Sequence, residues 1–303
     1  MKKFSPLLIV FAAILWSLDG LLRRQLYSLP PATLVLLEHI IGVLIVLPLF
    51  PKVWHEYKKM TKKDWLIIFI ITIFASVLGT IFYTAALAKV NYIGYSVVVL
   101  LQQTQPIFAI ALAVILLKEK LTKRYIALAG IGLTSAYFLA FPQFKPSLIG
   151  QSGELSAAIL AIGAAVFWGS GTVLGKLILK TLSFQAAAIL RFTLAIPIAF
   201  LASILLNQTF PLSAVTPTQW LYLLGIALSS GMVAFLIYYK GLKHTQAKIA
   251  TFAELTWPVS AAIIGYIFLK EKLTFIQTIA GVILLVDILI LSLKTKSLDE
   301  KIN

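Results

Sequence analysis

Apolar runs, each near the ~20 residues needed to cross ~30 Å of hydrocarbon, follow one another along the whole chain, cut only by short connectors that carry charges or Gly and Pro. Cutting at those connectors predicts ten spans, at about 5–22, 32–50, 65–88, 92–116, 125–141, 155–175, 184–206, 219–241, 249–268 and 274–293. Each is expected to be a helix, because hydrocarbon offers an unpaired backbone N–H or C=O no other partner. The stretch from Phe4 to Leu22 follows Lys2 and Lys3 like a signal peptide. It is too long for such an apolar region and lacks a small-residue cleavage site, so it reads as the first span.

The pattern repeats. Leu117–Thr122 and Leu269–Thr274 are the same hexapeptide, Leu-Lys-Glu-Lys-Leu-Thr, 152 residues apart. The same offset pairs Trp16 with Trp168, Thr104 with Thr256 and Pro106 with Pro258, and small shifts pair Trp65 with Trp220 and Tyr83 with Tyr238. Residues 5–141 and 155–293 are therefore expected to be two copies of a five-helix unit. An odd span count per copy makes the second enter the membrane from the opposite side. The expected fold is thus an all-α membrane protein of ten transmembrane helices in two inverted repeats, a common construction of secondary transporters.

Each copy has a tryptophan in its first helix (Trp16-Ser17, Trp168-Gly169), a proline in its fourth (Pro106, Pro258) and the Lys-Glu-Lys-Leu-Thr exit with Glu119 or Glu271. In these features the chain resembles the EamA family of the drug/metabolite transporter superfamily, over about residues 5–293. Ser17 stands where the family commonly has glycine. The resemblance implies a carrier in which the first four helices of each copy surround a central cavity and the fifth and tenth are peripheral. It also implies a small-molecule substrate, most simply an amino acid or related zwitterion for export, with nucleotide-like or phosphorylated metabolites as the alternative.

Composition agrees with the pattern: 60% of residues are apolar and 12% charged, and the mean hydropathy is +0.97. The net charge of +15 does not point to nucleic acid, because the Lys and Arg residues sit almost wholly in connectors. With the N-terminus in the cytoplasm, 19 of 26 fall on the cytoplasmic side and six outside. Both termini are therefore expected on the cytoplasmic side of the plasma membrane, with the lipid bilayer and the substrate as the partners of a monomer. Cysteine is absent. No cofactor or metal site is expected.

An ionisable group inside the membrane costs roughly 2.5–3.5 kcal/mol on insertion scales and is a functional candidate. Here these are Asp19, Glu38, His39, Arg191, Glu254 and Asp287. Glu38 lies about 9 Å below the outer boundary at ~1.5 Å per residue. Arg191 and Glu254 lie at similar depth from the other face and are expected to pair. As substrate ligands, Arg191 suits a carboxylate or phosphate, and Glu38 and Glu254 are the candidates for a coupling proton. Asp19, four residues before Arg23, is expected in a rim salt bridge, and Asp287 at the interface or near Lys294. His39, beside Glu38, points elsewhere on the helix.

Gln102, Gln103, Thr104 and Gln105 precede Pro106 as Glu254, Thr256 and Trp257 precede Pro258, and each proline frees the carbonyl four residues back. Such freed groups are tolerated where they line a cavity. Trp16, Trp168, Tyr83, Tyr95, Tyr238 and Tyr239 are aromatic pocket candidates, with the two tryptophans too deep for an interfacial belt. The expected substrate site therefore comprises Trp16, Glu38, Tyr83, Gln102, Gln103, Trp168, Arg191, Tyr238, Glu254 and Trp257. Gly163, Gly169, Gly171 and Gly175 read as close helix packing. Glu119 and Glu271 read as helix-end anchors. An intramembrane enzyme would need a nucleophile–base pair or metal cluster, yet His39, His55 and His244 are scattered. A channel would need a charged ring or filter repeat, and neither occurs.

Overall fold

The structure, a computed structural model, describes residues 5–89, 91–116, 122–143, 153–242, 245 and 253–294. The first hexapeptide up to Leu121, including Glu119, lies outside the described residues, as do His244 and the start of the ninth span at 249–252. The described residues form helices and no strand. Among the described residues seven helical spans are long and apolar enough to cross a membrane, and Thr256–Phe268 and Phe275–Leu291 are shorter apolar helices. Their outward side chains, such as Phe275, Leu205 and Leu221, are largely exposed. An apolar surface of that extent belongs in lipid.

Helix α1 (Ser5–Arg24) ends on Arg23 and Arg24, and α2 (Pro31–Val46) starts on a proline whose missing N–H costs nothing there. The second span does not stop near residue 50. A 3₁₀ turn at Leu47–Leu49 leads into α3 (Phe50–Tyr57), so the helical path runs through Lys52 and His55. The cause is docking onto α10 (Phe184–Leu205): the Glu56 carboxylate accepts from Ser183 N (2.6 Å) and Oγ (2.7 Å), and Tyr57 Oη donates to the Ala186 carbonyl at 3.0 Å.

The third and eighth spans are interrupted, again unlike the continuous helices expected. α4 (Lys62–Ile71), opened by a Thr61–Asp64 capping box, passes through a π-helical segment at Thr72–Leu78 into α5 (Gly79–Leu87). α11 (Pro217–Leu228) passes through Ser229–Gly231 into α12 (Met232–Leu242), where Gly231 N bonds Ile226 O (2.8 Å) and Ala234 N bonds Ser229 O (3.0 Å). At the 152-residue offset the two breaks overlap. Two more breaks match at that offset: α6 (Tyr95–Gln102) turns at Gln103–Thr104 before α7 (Gln105–Leu116), and Leu255 turns before α13 (Thr256–Phe268). At the first, Gln103 N and Thr104 N reach back three residues to Leu100 and Leu101 carbonyls, so proline ends one helix and another begins rather than kinking a single one.

α8 (Lys123–Ala140) and α14 (Phe275–Lys294) pair with each other, α2 packs on α10 and α11, α1 packs on α12 and α13, and α9 (Gly153–Ile178) packs on α4 through α7. The first helix of each half thus lies against the third and fourth spans of the other. Glycine permits this where backbones meet: a Cβ at Gly169 would lie 3.0 Å from the Gln105 carbonyl oxygen, and one at Gly79 would lie 2.6 Å from Trp168 Cδ1.

Candidate functional site

Where the two halves interleave, five aromatic side chains from five helices form a run. Tyr238 (α12) lies 4.9 Å from Trp16 (α1), Trp16 6.1 Å from Trp257 (α13), Trp257 6.4 Å from Trp168 (α9), and Trp168 5.1 Å from Tyr83 (α5), ring centre to ring centre. All five were expected to line a pocket, and the structure brings them together. Tilted and edge-on geometries at these separations are the favoured aromatic contacts. Trp16, Trp168, Trp257 and Tyr238 stay partly exposed although they meet in the interior. Tyr95 is different: its ring fills the space beside Gly20 and its Oη donates to the Ser17 carbonyl at 2.5 Å, a packing role.

Two buried polar atoms of this run, Trp257 Nε1 and Tyr83 Oη, have no hydrogen-bond partner, and neither does the buried Gln102 Oε1 of α6. A buried unpaired polar group costs about 1–3 kcal/mol, so such atoms mark a place where a ligand can supply the bond. Gln102 is fixed for this by its other end, since Nε2 donates to the Ala161 carbonyl of α9 at 2.7 Å. Gln103, partly exposed at the turn, reaches the Val99 carbonyl at 3.4 Å.

The charged candidates fall into separate groups. Arg191 does not face Glu254 as expected. Its Nε and Nη2 lie 3.2 and 3.1 Å from Ser76 Oγ, its guanidinium stands 5.2 Å from the Phe235 ring centre, and Tyr239 lies beside it. Ser76 is in the π-helical segment, a local widening that recurs at functional sites. Glu254 accepts from Tyr238 Oη at 2.6 Å, and Tyr238 packs on Tyr239, so two consecutive tyrosines connect the carboxylate to the guanidinium.

Glu38 lies in a clasp at the Tyr83 end of the aromatic run, with the Arg23 guanidinium 6.0 Å from the Tyr83 ring centre. Arg23 Nη2 donates to Glu38 Oε2 (2.5 Å), Nε to Asp19 Oδ2 (2.5 Å) and Nη1 to Thr84 Oγ1 (2.9 Å), while Ser230 Oγ donates to Asp19 Oδ1 (2.6 Å). The Asp19–Arg23 pair was expected at an exposed rim. It is buried instead, with Arg23 5% exposed. Sequence reasoning missed Arg23 as the partner of Glu38, although the need of an intramembrane carboxylate for a cation was the available signal. His39 is buried with Nδ1 2.7 Å from the Val35 carbonyl and its ring on Phe192.

Beside the clasp, Glu271 acts as the helix-end anchor expected of it. It accepts from Arg24 Nη1 (2.7 Å), Tyr95 N (2.7 Å) and Ser96 N (3.1 Å), closing the free N–H groups at the start of α6. Asp287 is 3% exposed and both carboxylate oxygens lack a hydrogen bond.

Interleaved apolar helices around an aromatic interior define a polytopic membrane protein. The chain belongs to the EamA-like transporter family, whose sequence pattern it matches over residues 3–141 and again over 155–293, and it is a transporter, not an enzyme. It is 35% identical over 290 residues to the riboflavin transporter ImpX of Fusobacterium nucleatum, covering 95% of this chain and 97% of that one. To the uncharacterized transporter YetK of Bacillus subtilis it is 27% identical over 268 residues, 87% of this chain and 78% of that one. One solved crystal structure superposes with a TM-score of 0.60 at 16% identity, covering 98% of this chain and all of that one.

Proposed function

We propose that this chain carries a flat aromatic metabolite of the flavin type, riboflavin first, across the plasma membrane by alternating access. The observation that carries the reading is the aromatic run from five helices, with its own Trp257 Nε1 and Tyr83 Oη unsatisfied, as is Gln102 Oε1 of α6. Indole and phenol rings stack on a planar tricycle. Two of the unsatisfied groups donate hydrogen bonds and one accepts, which suits the mixed edge of a heterocycle. The similarity to a riboflavin transporter along nearly the whole of both chains supports the same class.

The architecture behind this reading is ten spans in two inverted repeats with both termini in the cytoplasm. In its favour are the seven long spans, the two shorter apolar helices and the 18-residue α8, together with breaks matched at the 152-residue offset and the exchange of helix contacts between the halves. On that orientation the Arg23 clasp lies in the outer half. Of the two proton candidates, Glu38 is held by Arg23, so coupling rests on Glu254, which is partly exposed beside Tyr238 and Trp16. An amino acid remains the second reading, because Arg191 and Glu254 offer both signs of charge and are both partly exposed.

Proteoliposomes of the purified protein separate the readings. Saturable counterflow of labelled riboflavin, competed by unlabelled riboflavin and not by amino acids, is expected. Amino-acid counterflow without riboflavin counterflow would overturn the flavin reading, and Glu254→Gln should abolish the stimulation of uptake by an imposed proton gradient.

A further inference from the structure

Asp287 stands outside the aromatic interior, in the peripheral pair α8–α14, and no transport role above uses it. Its carboxyl group is 3% exposed, and neither oxygen has a hydrogen-bond partner. The space it occupies is made by Gly132 of α8: a Cβ there would lie 2.9 Å from Asp287 Oδ2 and 2.8 Å from Ile107 Cδ1 of α7. The surroundings are otherwise apolar, with Leu284 and Ile288 on its own helix.

The ionisable groups of the neighbouring helices do not neutralise it. α7 carries none. On α8, Lys123 and Arg124 open the helix, eight or nine positions before Gly132 and so roughly 12–14 Å away along the axis. Tyr125 donates to the Ile107 carbonyl at 2.6 Å, and Tyr137 packs on Phe138 and Phe141. On α14 itself the other ionisable residue is Lys294, seven positions on. An unpaired carboxylate in such a place costs several kcal/mol, so the group holds a proton instead. Nothing about packing calls for an acid: an apolar residue of similar size fills the same slot with no unsatisfied oxygen.

We propose that Asp287 is a proton-binding site of the α8–α14 pair, separate from the aromatic interior. The neutral acid sits in the slot opposite Gly132, and loss of its proton drives the carboxylate out of that slot and loosens the two helices. Protonation thereby sets the packing of the helices that flank the transport core.

A buried protonated carboxyl reacts with an apolar carbodiimide. Its proton passes to a carbodiimide nitrogen, its oxygen adds to the central carbon to give an O-acylisourea, and the acyl group then shifts to nitrogen as a stable acylurea. Dicyclohexylcarbodiimide applied to the full-length protein in detergent, followed by peptide mapping, should label Asp287 in mildly acidic buffer and progressively less as the pH is raised. The melting temperature should fall over the same range, and Asp287→Asn should remove both the label and that part of the fall. The proposal is overturned by no label at Asp287 while other carboxyls react, by labelling that ignores pH, or by an unchanged pH slope in Asp287→Asn. If that variant does not fold, wild-type labelling against pH still decides.

Discussion

The last turns of α1 and the matching turns of α9 are built oppositely. At the 152-residue offset Asp19 corresponds to Gly171 and Arg23 to Gly175. The α1 end is a buried polar clasp that ties α1 to α2, α5 and the α11–α12 turn through Glu38, Thr84 and Ser230. In α9 there is no side chain to tie: Gly171 lies against Ala75, and a Cβ at Gly175 would meet only Tyr239 Oη, at 3.8 Å. A duplicated scaffold thus carries its ionic lock at one end alone. Equivalent positions keep the same path through the bundle but differ in what must be broken for the helices to part.

Breaking the lock should have the largest effect. Arg23→Leu leaves Asp19 and Glu38 buried without their cation, which costs about 3–5 kcal/mol; thermal unfolding in detergent should show a large drop or loss of folded protein, and an unchanged melting temperature would refute the clasp. Glu271→Ala removes the acceptor for Arg24 and for the α6 N–H groups and should cost about 2–3 kcal/mol by the same measurement. On the other side, Gly171→Ala pushes a methyl into Ala75 and should cost about 1–3 kcal/mol, with Ala75→Gly restoring most of it. Smallest is Gly175→Ala, where the space is open: the helix should gain about 0.5–1 kcal/mol, seen as a slight rise in melting temperature. A loss there as large as at Gly171 would remove the contrast.

The contrast was half legible in the chain. Apolar runs and the 152-residue offset show the helices, and the paired tryptophans and prolines show the aromatic interior, because those signals are local and repeat. Arg23 looked like a connector charge, since sequence places it beside the apolar run without showing that α2 and α5 close over it. The Arg191–Glu254 pairing failed for the same reason: equal depth does not fix the facing direction of a helix, and the π-helical segment at Thr72–Leu78 turns Ser76 toward the guanidinium. The extension through α3 was hidden because Lys52, His55 and Glu56 resemble a loop, whereas Val53 and Tyr57 make one face of it apolar.

The capping of α6 by Glu271 also has a consequence for biosynthesis. The N–H of Tyr95 and its acceptor are 176 residues apart in the chain. At translation rates of ~5–20 residues per second, the ribosome needs roughly 10–35 s after making Tyr95 to deliver Glu271. Throughout that interval the nascent first half has the start of α6 open and Arg24 without its carboxylate. Its native arrangement is completed only when nearly the whole chain has left the ribosome.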